Sequence, residues 1–419
     1  MREPTTGRDV ERRERLSGDL CDSGLDAVIA TTPENVLLLT GYFPVVGTSI
    51  ALATRDGEVY LLAPHDEREL AETGGADEVI VFQPASLDRL TSAAEAVRQP
   101  LCKLLRDQKL ERATIGWESG ELFEPASYVS MHLYGSSLSE ICGSVSFQPA
   151  AGLFARMKAT LTAMELDRVR RSCRIASLAF EKGRTRLAAG LLETEAAANF
   201  RRPLFTDGVG FEGASRADGY VFCMAGEHSA EAFGAYARSR ASTIRNGDFV
   251  LTHCNSHADG YWTDITRTYC MGQPNERQQR IYDAVFEARQ AAIAAIRPGV
   301  EARNVDRAAR DVMRSHGFGD NFKHPTGHGV GFAAIDHNAR PRLHPASEDR
   351  LESGMVFNIE PAAYLDGFGG VRHCDMVTVA PRGCEVLTPC HCVFEDLMCD
   401  PQAEGVAGLT SSKLGGASR

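Results

Sequence analysis

The sequence predicts an α/β domain over residues 1–155, followed by an α+β domain over 156–399. Three observations carry this reading. In the first domain, short apolar strand-like runs alternate with helical stretches, the pattern of helices packed on a sheet. A long amphipathic stretch then opens a second region, in which two more helices are clearly bounded. Finally, the strands of that second region carry histidines and acids among their apolar residues.

The elements follow in order. Strand-like runs are DAVIA (26–30), ALATRDGEVYLLA (51–63, broken into two strands by the Asp56-Gly57 turn), DEVIVF (77–82) and ATIGW (113–117). Helical stretches lie between them at 9–21 and 87–106. Over 163–183, Met164, Val169, Cys173, Ala176 and Ala179 recur at helical spacing, so one face is apolar. The domain boundary is placed just before this helix, at 155. Helices at 275–296 and 301–316 end at Pro298-Gly299 and Gly317. Strands are expected at FVLTHCN, GYWTDITRTYC, GMVFNIEP and RHCDMVTVA. Residues 400–419 are rich in Gly and Ser and are expected to be disordered.

Composition narrows the function classes. Net charge is −11, from 45 Lys and Arg against 56 Asp and Glu, and no basic tract stands out. Nucleic-acid binding, which needs clustered positive charge, is disfavoured. No apolar run reaches the ~18 residues of a membrane span, and the charged N-terminus does not read as a signal peptide. A soluble, cytoplasmic protein is expected. The twelve cysteines are scattered without a CxxC pair, so reduced thiols are expected.

Four segments concentrate reactive side chains. His253 and Asp264 lie on two strands joined by SHADG (256–260), and a tight turn would set them opposite each other. HPTGHGVGF holds His324 and His328, with glycines that let backbone approach closely. GMVFNIEPAAY places Glu360 in an apolar strand, where a carboxylate needs a partner. GFGGVRHCDMV aligns Arg372, His373, Cys374 and Asp375. Each residue also has a structural reading: Glu360 or Asp264 in a salt bridge, His253 in the core, Cys374 as a small buried thiol, His324 as a cap. Spacing alone does not bring the four segments together.

GYWTDITRTY, TGHGVGF, GMVFNIEPAAY and GGVRHCDMV, in this order, resemble the pita-bread-fold family of methionine aminopeptidase, aminopeptidase P, prolidase and creatinase. The resemblance runs from about residue 155 to 395, and the preceding domain resembles the creatinase-type N-terminal domain. It implies a pita-bread catalytic domain, a homodimer, and two divalent metals held by two Asp, one His and two Glu. Asp264, His328 and Glu360 fall on three of those positions. His253 stands where the first aspartate is expected, and Cys374 where the last glutamate is expected. The family's non-ligand catalytic histidine falls at Tyr236, with His228 nearby as a substitute. The second substrate-side histidine falls at Ile335, with His337 two residues later.

These departures lower the charge of the ligand set from about −4 to −2, or −3 with a Cys374 thiolate, which disfavours a pair of hard cations. The set His253, Asp264, His328, Glu360 and Cys374 suits one Zn, Fe or Cu better than a Mn or Co pair, and a metal-free site is the other outcome. The resemblance then implies a hydrolase of the Xaa-Pro peptidase type acting on a short peptide or small molecule. Glu360 would assist proton transfer, while His324 and His337 would contact the tetrahedral intermediate. Two alternatives stay open: a creatinase- or ectoine-hydrolase-like enzyme, lyase or mononuclear-iron enzyme, and a catalytically dead binding protein. Arg372 and Asp375 are read as strand braces and His257 as a solvated turn residue.

Overall fold

The computed structural model describes residues 7–400 apart from 46–47, 85–91, 120–137, 139–140, 144, 234–236 and 337. The expected disorder at 401–419 and the residues His337 and Tyr236 therefore lie outside the described residues.

The first domain comprises α1 (Val10–Asp22), β1 (Ala27–Ala30), α2 (Pro33–Thr40), β2 (Ile50–Thr54), β3 (Val59–Pro64), α3 (Arg68–Ala71), β4 (Glu78–Phe82), α4 (Ala93–Asp107), β5 (Thr114–Trp117) and β6 (Ser146–Pro149). They build one six-stranded sheet in the order β4-β3-β2-β1-β5-β6. The hairpin expected across Asp56-Gly57 is β2–β3, and β1 also pairs antiparallel with β2. Alternation along each strand feeds two faces. Ile29, Leu52, Leu62 and Ile115 pack with Leu101 and Leu104 of α4. Val28, Ala53 and Leu61 face Leu16, Leu20 and Leu37, in a core that continues into the second domain.

Helix α5 (Ala151–Ala159) packs on α1 and α2, so the expected boundary at 155 falls within a helix. Helix α6 (Ala163–Arg184) begins on a capping box of Thr162 and Glu165. Glu165 also accepts from Arg12 Nε at 2.8 Å, a buried pair that ties α1 to the start of α6. Arg216 and Glu67 form a second link between the domains, at 2.7 Å.

The second domain adds α7 (Glu193–Thr206), β7 (Ala217–Ala225), β8 (Phe249–Ala258), β9 (Tyr261–Met271), α8 (Glu276–Ala295), α9 (Ala302–Ser315), β10 (Val356–Ile359), β11 (Ala362–Leu365), β12 (Gly369–Arg372), β13 (Asp375–Ala380), β14 (Gly383–Val386) and β15 (Met398–Cys399). Its sheets run β15-β9-β8-β7, β10-β13-β14 and β11-β12. Helices α6 and α7 cover the first sheet, and α8 packs across β10, β11, β12 and β14. This is the pita-bread fold. None of the described helices is long and apolar enough to cross a membrane, and all twelve cysteines are free.

Four local expectations are corrected. The β8–β9 turn is only Asp259-Gly260, both at positive φ (49° and 86°), the geometry of a two-residue hairpin. Register therefore sets His253 opposite Thr266 and Asn255 opposite Asp264, two residues from the expected pairing. Because a two-residue shift preserves the face, His253 and Asp264 still meet, diagonally. Next, the strand expected over 372–380 divides: β12 ends at Arg372, β13 starts at Asp375, and His373 and Cys374 lie between them. Glu360 likewise follows the end of β10 rather than lying within a strand. Lastly, His257 belongs to β8 rather than to the turn, and its partly buried ring packs between Phe43 and Trp262, at 5.5 and 4.7 Å between centroids.

Candidate metal centre

Asp264 comes from the middle of β9, His328 from the glycine-flanked loop before β10, and Glu360 from the junction of β10 and β11. Non-local pairing brings these segments together. Thr266 bridges to Cys374, and Gly329 bridges to Phe357. The glycines are needed for this approach. A Cβ on Gly327 would lie 2.0 Å from the Asn358 carbonyl oxygen, and one on Gly329 would lie 2.6 Å from that of Ala339.

Asp264 Oδ2 lies 3.5 Å from His328 Nε2, which lies 3.8 Å from Glu360 Oε1. One donor atom from each residue falls within 4.8 Å of the others, and all three side chains are buried. Of the five residues proposed from sequence, these three converge. His253 Nδ1 and Cys374 Sγ instead flank Asp264, each 3.5 Å from Oδ1.

Hydrogen bonds orient the set. The His328 backbone N–H donates to Asn358 Oδ1 at 2.7 Å, and Nδ1 meets the Gly329 carbonyl at 2.9 Å, which turns Nε2 toward the carboxylates. Asn358 Nδ2 lies 3.1 Å from His328 Nε2 and 3.5 Å from Cys374 Sγ. The Cys374 thiol donates to the Asp264 carbonyl oxygen at 3.2 Å. Arg372 Nη1 lies 3.9 Å from Glu360 Oε2 and 3.5 Å from Tyr364 Oη, while its Nε donates to Thr266 Oγ1 at 3.1 Å. Arg372 therefore braces the strands, as expected, and also forms part of the site wall.

Electrostatics separates the two carboxylates. Burial raises Glu360 to about 7, against the opposing pull of His328 and Arg372. Asp264 is likewise opposed by desolvation, yet His253 and His328 bring it well below the usual carboxylate range. Burial works to lower His328, but its bond to Asp264 and the charge of Glu360 raise it to about 9. Burial lowers His253 to about 4 and raises the Cys374 thiol well above its ordinary range. The pattern is that of a site holding one proton where a cation could sit.

His324 lies beside this set. Its Nδ1 meets the Pro325 carbonyl at 2.7 Å and its Nε2 meets Tyr364 Oη at 3.0 Å, while burial lowers it to about 3. The imidazole is therefore neutral, donating through Nδ1 and accepting the Tyr364 proton at Nε2. His228 Nδ1 lies 2.7 Å from the buried Glu193 carboxylate. Asp375, read as a brace, sits between Arg267 and Arg289.

Sequence reasoning missed Asn255, Asn358, Thr266 and Tyr364. Asn358 carried a usable signal, being a polar residue in the same apolar run that drew attention to Glu360. The others share their sequence environment with ordinary sheet residues, and only register exposes them.

One imidazole and two buried carboxylate oxygens form a donor set suited to one divalent cation. Residues 167–381, just over half of the chain, match the model of metallopeptidase family M24. The chain belongs to metallopeptidase family M24. Residues 12–159 match the creatinase/prolidase N-terminal domain. Among curated relatives of this chain is the Xaa-Pro dipeptidase of Pyrococcus furiosus, 28% identical over 379 residues, or 90% of this chain and 97% of that one. The prolidase structure from Pyrococcus horikoshii superposes with a TM-score of 0.72 at 25% identity, covering 92% and 99% of the two chains. An X-Pro aminopeptidase from Thermotoga maritima shares the fold at 22% identity, with a TM-score of 0.75 over 93% and 99%. Membership makes the M24 chain a metal-dependent hydrolase, with Asp264, His328 and Glu360 as its candidate divalent-metal site.

Proposed function

We propose that the protein hydrolyses the amide bond of an Xaa-Pro dipeptide or similar short substrate, with one divalent transition ion, zinc, iron or copper, in place of a manganese or cobalt pair. The observation that carries this reading is the convergence of Asp264, His328 and Glu360, with neutral His253 and Cys374 beside them. Two hard cations this close together would need more negative charge than Asp264 and Glu360 supply. His253 and Cys374 are the further donors within reach of Asp264.

A bound ion would supply Lewis-acid polarisation of the scissile carbonyl and of the attacking water. The chain's own residues supply the rest. Glu360 accepts a proton from the attacking water and returns it to the leaving nitrogen. Arg372 keeps the other Glu360 oxygen in place, and the His324–Tyr364 pair presents a neutral polar wall to the reacting carbonyl. The likeness to Xaa-Pro dipeptidases supports a substrate with proline on the leaving side.

The test is metal content per chain by mass spectrometry, on protein purified without chelator, alongside hydrolysis of an Xaa-Pro dipeptide panel. About one equivalent of zinc, iron or copper, with chelator-sensitive cleavage, is expected. Two equivalents of manganese or cobalt would overturn the single-ion reading. The replacement of two carboxylate positions by His253 and Cys374 favours a second reading, hydrolysis of a small non-peptide C–N compound. Metal-independent turnover of such compounds without peptide cleavage would select it.

A further inference from the structure

Asn255 lies in the row of the sheet that joins Tyr220, Asn255 and Asp264, two residues along the same face from His253. Its Oδ1 is 2.8 Å from His253 Nε2. The other ring nitrogen, Nδ1, meets Thr266 Oγ1 at 3.0 Å and Asp264 Oδ1 at 3.5 Å. Thr266 Oγ1 already accepts from Arg372 Nε, so its own proton is free to be donated to Nδ1. The Asn255 oxygen facing Nε2 favours a ring proton there, which leaves the lone pair on Nδ1. Phe222 stacks on the ring at 6.2 Å and 7°, which limits its rotation.

In that form the single Nδ1 lone pair faces the Thr266 hydroxyl at 3.0 Å and the buried Asp264 carboxylate at 3.5 Å, so a cation held by Asp264 would take Nδ1 from the hydroxyl. Asn255 holds this geometry while its own Nδ2 stays buried without a hydrogen-bond partner. An amide that merely filled space would not need to commit its oxygen to His253 in this way.

We infer that Asn255 is a positioning residue for the metal centre. It holds the Nε2–H of His253 and so turns Nδ1 toward Asp264, as a donor beside the Asp264, His328 and Glu360 set. This inference rests on the proposed single-ion reading of the site. It deepens that reading by giving His253 a defined donor atom and Asn255 a role that sequence reasoning does not suggest.

The experiment uses the full chain and has two readouts besides activity. One is the His253 tautomer in metal-free protein, by nitrogen-15 NMR on histidine-labelled samples, assigned with H253A. The other is Co²⁺ affinity by competition titration, followed by the visible absorption of the bound ion. Wild type is expected in the Nε2–H form. N255L is expected to lose that form and bind Co²⁺ about 10- to 100-fold more weakly, the usual range for a residue that orients a ligand. N255D, which keeps an oxygen for Nε2–H, is expected to recover most of the affinity. An Nδ1–H tautomer in wild type would overturn the inference, and that measurement stands even where N255L fails to fold. Weak binding by H253A with wild-type binding by N255L would overturn the role of Asn255 and leave His253 a ligand. Wild-type binding by H253A would remove His253 from the centre, and the inference with it. No Co²⁺ binding by wild type would sink the single-ion reading itself.

Discussion

Cys374 Sγ lies 3.5 Å from Asp264 Oδ1 and donates its proton to the Asp264 main-chain carbonyl at 3.2 Å. A neutral thiol thus occupies a position where a carboxylate would set a second negative charge against Asp264. The double variant H253D/C374E adds two carboxylates around that oxygen. It is expected to raise metal stoichiometry from about one to about two per chain and to shift preference toward manganese. Mass spectrometry of the reconstituted variant checks this, and unchanged stoichiometry would show that charge does not set the number of ions.

Metal affinity should depend steeply on pH. An ion bound by His328 must expel its proton, held up to about 9, and below about 7 it must also expel one from Glu360. Log affinity is therefore expected to rise by about two per pH unit below 7, by about one between 7 and 9, and to level off above 9. The same shifts fix the sign for metal-free stability. His328 is raised above its unfolded value, so its contribution is full below about 6.5 and is lost as pH rises through 9. Calorimetry of metal-free protein across this window should show the loss, and metal-loaded protein should not.

Tyr364 joins His324 Nε2 and Arg372 Nη1 through one hydroxyl. Tyr364→Phe leaves the His324 acceptor unpaired and frees its ring to turn. A fall in kcat of about tenfold, with little change in KM or in bound metal, is expected. The stability cost should be about 1 kcal/mol, that of one lost hydrogen bond. Steady-state kinetics paired with metal analysis decides the matter: loss of the metal itself would make Tyr364 a structural support of the centre.

Asp375 is fully buried between Arg267, 2.6 Å away, and Arg289. Asp375→Ala strands two guanidinium groups in the core and is expected to destabilise the protein by about 3–5 kcal/mol. Urea unfolding measures it directly. A change under 1 kcal/mol would mean that water reaches both arginines.

Much of the fold was legible because its signals are local. The α6 helix announces itself through Thr162, Glu165 and a face of Val169, Cys173 and Ala176, and the β2–β3 hairpin through Asp56-Gly57. The centre was legible only in part. Asp264, His328 and Glu360 stand out as polar residues in apolar or glycine-rich surroundings. The β8–β9 register does not, because one residue more or less in the turn cannot be read from SHADG. That register is why Thr266, rather than Asp264, lies opposite His253.

The sequence by itself determined the two-domain organisation, the extents of helices such as α1, α6, α8 and α9, and the identity of the side chains available for chemistry, whereas α2, α5 and α7 were not read from it. Those follow from periodicity, capping and composition, which act over a few residues at a time. Tertiary structure alone decided which of these side chains share a site. It set Asp264 between His253 and His328, folded the Arg372 guanidinium over Glu360, and gave Asn255 to His253. These relationships depend on strand pairing and loop packing: His253 meets Asp264 across the β8–β9 hairpin, and His328 and Arg372 reach the site from separate segments. Their geometry is fixed by strand register and by glycines such as Gly327, where the chain packs too closely for any side chain.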